Sequence, residues 1–224
     1  MAGMTDIRGL IFGVQFSHSF QLLDHWGEIA DNILYKSHCF NADFFSNISS
    51  QYTTERNLSN PITGNVLTLA AHTLIFKYYI PDGAVFKQEF DQFCSRCKYL
   101  IERILSEYKL VIRRVGMVYV CELEDIEITK FAKKYFKDEI SGITDFRFAQ
   151  KEPTSNGQLW VGNNDYINKI YTVGLIDNDK KIKGVTYDFQ LYYNPLQADI
   201  RNRYLDFLKK SLEYFKKDII NEQI

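Results

Sequence analysis

VFKQEFDQFCSRCKYLIERILSEY, residues 85–108, carries the clearest periodicity in the chain. Phe86, Phe90, Phe93, Cys94, Cys97, Ile101, Ile104, Leu105 and Tyr108 form one apolar stripe at helical spacing, and the opposite face is charged. A helix of that shape needs a sheet to lie on, and strand-like runs flank it. Residues 66–80 are strongly apolar, end at Pro81-Asp82-Gly83 and read as one long strand. Residues 110–123, rich in Val and Ile, read as the strand that follows.

Working towards the amino terminus, residues 57–64 contain Asn60-Pro61 and Gly64 and read as a loop, and residues 48–55 as a short strand with a period of two. Leu22, Leu23, Trp26, Ala30, Ile33 and Leu34 predict a helix of about five turns, with Ser17 and Ser19 as N-cap candidates. Residues 7–16 are a continuous apolar run with two glycines, a buried strand. The order is β-α-β-β-α-β, the ferredoxin-like arrangement with two helices on one face of a four-stranded antiparallel sheet.

Beyond Glu124 and Asp125 a short helix is expected, with Ile128, Phe131, Ala132 and Tyr135 inward and Lys133, Lys134 and Lys137 outward. A strand over 143–149 and a polar loop over 152–164 come next. The best hairpin pairs 166–176 with 183–193, where Val185, Tyr187, Phe189, Leu191 and Tyr193 alternate with Thr186, Asp188, Gln190 and Tyr192. Asn194-Pro195 opens a closing amphipathic helix that carries Tyr204, Phe207, Leu208 and Phe215 on one face. The expected fold is α+β, with a ferredoxin-like half over 1–123 packed against a helix, hairpin and helix over 124–224. No linker, low-complexity tract or short repeat separates them.

The balance of 27 basic and 28 acidic side chains supplies no global field for polyanions or acidic membranes. At 224 residues, 46% hydrophobic and 25% charged, the chain can bury a core without staples. Asp6 and Arg8 interrupt any leader-like run, and four cysteines without a secretory context are expected to be reduced, so the expected compartment is cytoplasm. The sequons at Asn47 and Asn57 are then inert.

No phosphate-cradling glycine loop or nucleophile elbow occurs. Cys94-x-x-Cys97 has the spacing of half a zinc site, but a structural site needs four ligands, and His38, Cys39 and His72 could complete one only through tertiary folding. Both cysteines lie on the apolar stripe, where a thiol behaves as a small hydrophobe. His18 with Asp24 or His25 is an acid–base candidate, and Asp177-Asn178-Asp179 reads as a hairpin tip. No metal, cofactor or catalytic set is assigned, and an enzyme is not the expected reading. Candidate nucleic-acid contacts are Arg113 and Arg114 in a strand and Lys130, Lys133, Lys134 and Lys137 on the expected helix. Lys209, Lys210, Lys216 and Lys217 form a third basic group, interleaved with Glu213 and Asp218.

Arg114-Val115-Gly116-Met117-Val118-Tyr119 resembles a strand motif, Arg-hydrophobic-Gly-x-x-Tyr, of a sporadically distributed family of uncharacterised bacterial proteins. Residues 187–192 and the closing helix sit where that family has similar elements, while Val120-Cys121 departs from its polar and basic continuation. The resemblance implies no activity or catalytic residues. It implies a patchily inherited bacterial accessory protein associated with phage defence. A histidine near a helix in a ferredoxin-like fold also resembles the RNA-processing endonucleases of CRISPR systems, whose glycine-rich carboxy-terminal loop is missing here. The expected function is a non-enzymatic binding or assembly subunit with a protein partner or a second copy, the alternative being a nucleic-acid-binding or RNA-processing protein.

Overall fold

The structure, a computed structural model, describes residues 6–40, 43–49, 54–108, 110–123, 146–153, 166–177, 182–192 and 204–222. Nine described strands form one sheet in the order β2-β3-β4-β5-β1-β6-β9-β8-β7, with every neighbouring pair antiparallel. They are β1 (Asp6–Phe16), β2 (Asn47–Ser49), β3 (Glu55–Ser59), β4 (Val66–Ala70), β5 (Thr73–Tyr79), β6 (Ile112–Glu122), β7 (Phe146–Pro153), β8 (Tyr166–Asp177) and β9 (Ile182–Tyr192). The helices are α1 (Gln21–Asp24), α2 (Trp26–Asp31), α3 (Phe86–Tyr99) and α4 (Tyr204–Glu222). No described helix is long and apolar enough to cross a membrane.

Alternation sets which face of the sheet is buried, since successive side chains point to opposite sides. Leu10, Phe12, Val14 and Phe16 of β1, Phe76 of β5, Met117, Tyr119 and Cys121 of β6 and Tyr187 and Phe189 of β9 all join one core cluster. Leu22, Ile29, Phe90, Phe93, Cys97, Tyr204, Phe207 and Phe215 from the helices complete that cluster, so the helices share one face of the sheet. Phe93 stacks on Phe76 with ring centroids 5.4 Å apart, and Phe215 stacks on Tyr119 at 4.2 Å.

The fold is mixed and antiparallel as expected, but the four-stranded ferredoxin-like order is not what these strands build. Residues 66–80 form a hairpin, β4 and β5, in which Leu69 pairs with Leu74. The turn at Ala71-His72 lacks glycine, proline and asparagine, so nothing in its composition announces it. Its carbonyls are satisfied from outside, Ala71 O by the Ser19 amide at 2.7 Å and His72 O by the Phe16 amide at 3.0 Å. The strand β3 also takes Asn57, Leu58 and Ser59 out of the expected 57–64 loop.

The first helix breaks at His25 and ends in a π-helical turn over Asn32–Lys36, without a side-chain cap from either serine. The helix α3 continues through a π-helical turn, Leu100–Ile104, and a 3-10 turn, Leu105–Tyr108, so its periodic stripe remains intact. The hairpin β8/β9 and strands β1 and β6 lie where they are expected. The expected helix after Asp125, most of the 152–164 loop and the start of the closing helix lie outside the described residues.

The sheet has an internal order that no short repeat reveals. Outward from the central β1/β6 pair it runs β1-β5-β4-β3 on one side and β6-β9-β8-β7 on the other. Each arm has one strand, a three-strand meander whose last member returns to it and then a helix, with α1, α2 and β2 inserted before the meander in the first. Gly13 faces Ile75 and Ile75 faces Thr68 in one arm, as Gly116 faces Gln190 and Gln190 faces Asn168 in the other. Phe90, Phe93 and Cys97 of α3 recur as Tyr204, Phe207 and Ser211 of α4 at identical spacing, all buried. The described strands thus repeat one order on either side of the β1/β6 pair, and β2 extends only the first arm.

Candidate functional site

The described helices pack on one face of the sheet, and the other face carries no described helix. Its centre is where β1 meets β6. Ile11 pairs with Val118, Gly13 with Gly116 and Gln15 with Arg114, and all six are half-buried. Two glycines paired across neighbouring strands leave the backbone bare, a shallow trough walled by Ile11 and Val118 on one side and Gln15 and Arg114 on the other.

Glycine weakens a strand interior and often marks a place where another backbone or a ligand comes close. Gly184 illustrates the structural reason for one, because a Cβ there would lie 2.0 Å from the Cys121 carbonyl oxygen. Gly13 has no such reason. Among the described residues nothing lies within 4 Å of a Cβ built on it, and its φ is not in the left-handed region. A Cβ on Gly116 would meet only ordinary contacts, at 3.8 Å from Phe189 O and 4.0 Å from Gly13 O.

A polar network borders the trough on β6 and β9. The Arg114 Nη1 donates to the Tyr192 hydroxyl at 3.2 Å and approaches Gln190 Oε1 at 3.5 Å. The Tyr192 hydroxyl donates to Gln190 Oε1 at 3.0 Å, and Gln190 Nε2 donates to Asp188 Oδ2 at 2.5 Å. These residues meet because β9 presents Asp188, Gln190 and Tyr192 on one face at a period of two. Burial pushes the Asp188 carboxyl above its ordinary range, opposed by the Gln190 hydrogen bond and by the charges of Arg114 and Arg147. Nη1 of Arg114 meets two partners on β9, and its guanidinium lies over the Tyr192 ring with the centroid 5.7 Å away.

Of the residues singled out from sequence, Arg114 therefore lies beside the trough. Arg113 is exposed at a β-bulge, where β1 pairing skips from Arg114 to Ile112. Lys130, Lys133, Lys134 and Lys137 lie outside the described residues. Lys209 and Lys216 are exposed on α4, and Lys210 pairs with Glu213 at 2.6 Å.

Among the described residues no group of three or more His, Cys, Asp or Glu side chains is placed to hold a metal. Cys97 is fully buried, and burial raises the Cys94 thiol to about 12. His18 stacks on His72 at 5.1 Å rather than on Asp24, and His25 approaches Glu28 at 3.5 Å. Gly13, Gln190 and Tyr192 were not singled out in the sequence. The available signal was the glycine within a strand otherwise made of large residues.

No family model, curated protein or solved structure matches the chain.

Proposed function

We propose that the protein is a non-enzymatic binding or assembly subunit of a bacterial cytoplasmic complex, of the kind carried by defence loci, and that it receives its partner protein on the sheet face that carries no described helix. The observation that supports this reading is Gly13, a mid-strand glycine that costs stability and that neither steric crowding nor backbone conformation requires. An approaching backbone or flat side chain seats on the bare trough, and Arg114, Gln190 and Tyr192 offer oriented hydrogen-bonding groups at its border. Ile11, Val118 and Ile75 supply apolar contact on the same face.

The test is size exclusion with light scattering and absorbance at two wavelengths, on protein purified gently from the cells that make it. The reading predicts a protein-only peak heavier than the 26.3 kDa chain. A monomer peak with no companion contradicts it, and a peak rich in nucleic-acid absorbance moves the function to the Arg113 and Arg114 surface.

A further inference from the structure

A cleft of about 410 Å³ opens in the helix layer, lined by Asn32, Lys36, His38, Cys39, Tyr99, Arg103 and Glu107. That volume falls within the roughly 300–1,000 Å³ of small-molecule sites. One wall is the end of the first helical run with the loop after it. The other is a single face of the α3 continuation, where Tyr99, Arg103 and Glu107 follow at intervals of four.

The walls are tied down by their own hydrogen bonds. The Tyr99 hydroxyl donates to Asn32 O at 2.8 Å, the Cys39 and Phe40 amides donate to Ser37 Oγ at 2.9 and 3.1 Å, and Arg96 Nε donates to Cys39 O at 3.1 Å. Arg96 is itself held over the Phe44 and Tyr78 rings, with centroids 4.5 and 5.0 Å away. These bonds hold the backbone on one side of the cleft to the helix on the other.

Its charged groups are not used by the fold. Neither Lys36 nor Arg103 makes a hydrogen bond or ion pair with any described residue, and Arg103 does not pair with Glu107 although the two share a helix face. Two exposed cations, an exposed histidine and one exposed carboxylate thus line the same cleft. An oxyanion satisfies the cations, and Glu107 remains to accept a hydrogen bond from a ligand hydroxyl.

We propose that this cleft binds a small phosphate monoester bearing hydroxyl groups, its phosphate on Lys36 and Arg103 and a hydroxyl on Glu107. The site belongs to the helix layer and does not rest on the reading of the sheet face. The test is titration of the full chain with glycerol phosphate, inorganic phosphate and glycerol at matched ionic strength, followed by phosphorus NMR line broadening and calorimetry.

Saturable binding of glycerol phosphate is expected, weakened about tenfold or more by Arg103→Gln and by Lys36→Gln. It should be unchanged by Arg147→Gln, which lies on the sheet face. The thermal midpoints of these variants report that each still folds. Equal binding of inorganic phosphate would overturn the monoester assignment. Absence of saturation below about 1 mM, or affinity indifferent to both cleft substitutions, would overturn the site.

Discussion

Gly13 and Gly184 sit inside strands for opposite reasons, and their substitution should separate the two. Gly13→Val adds a β-branched side chain to open space, and it should stabilise the protein by about 0.5–1 kcal/mol in urea unfolding. A loss of stability would mean that the trough is required by the fold. Gly184→Ala drives a methyl group into the Cys121 carbonyl and should cost about 1–3 kcal/mol.

Asp188 gives a pH signature. Its folded carboxyl is raised by burial, so the unfolded chain gives up its proton first as pH climbs. The stability penalty is absent below the ordinary carboxylate value, grows as pH rises to the folded value and is constant above it. Asp188→Asn should therefore raise the thermal midpoint at pH 7 and have little effect near pH 3, measured by thermal melts across pH. An equal shift at both would exclude titration as the cause. Arg114 was legible in the sequence as a cation in a strand. Its partners Gln190 and Tyr192 were not, because they lie more than 70 positions away and only the register of β6 on β9 brings them together.

At the scale of elements, helical and strand periods made α3 and the β8/β9 hairpin legible, since each buries one regular stripe. The β4/β5 turn was hidden because its hydrogen bonds come from the chain leaving β1, a tertiary fact without local chemistry. The helix α4 is anchored by Phe215, 1% exposed, stacked on Tyr119 at 4.2 Å and edge-on to Tyr187 at 5.1 Å. Phe215→Ala should cost about 3–5 kcal/mol. Tyr119→Phe, which removes the 2.9 Å hydrogen bond to Ser211, should cost about 0.5–1.5 kcal/mol, because Ser211 keeps its bond to Leu208 O. Chemical denaturation of both variants checks the ranking, and a reversed order would move the anchor of α4 to its polar contact.

The same argument explains the cysteines of α3. Burial raises the Cys94 thiol to about 12 and removes Cys97 from solvent, so iodoacetamide at pH 8 should leave both unmodified until the protein unfolds. Rapid alkylation of Cys94 in the folded state, read by mass spectrometry, would contradict their place in the core.

For the whole molecule, the continuous β1/β6 pairing makes the two arms one cooperative body. Calorimetry should show a single transition with matching calorimetric and van't Hoff enthalpies, whereas two transitions would mean that the arms are separate domains. The repeated strand order was not legible in the sequence, because positions such as Phe90, Phe93 and Cys97 share spacing and burial rather than identity with Tyr204, Phe207 and Ser211. Fold class was readable from patterning, but the order of strands in the sheet depended on which apolar run concealed a turn.

The most direct test of the sheet face as the docking surface is the light-scattering mass of the native-source protein beside that of Gly13→Val/Gly116→Val, positions where an added Cβ meets no atom closer than 3.8 Å. The account predicts a protein-only assembly for the natural chain and a folded 26.3 kDa species for the variant. The same mass for both would contradict it.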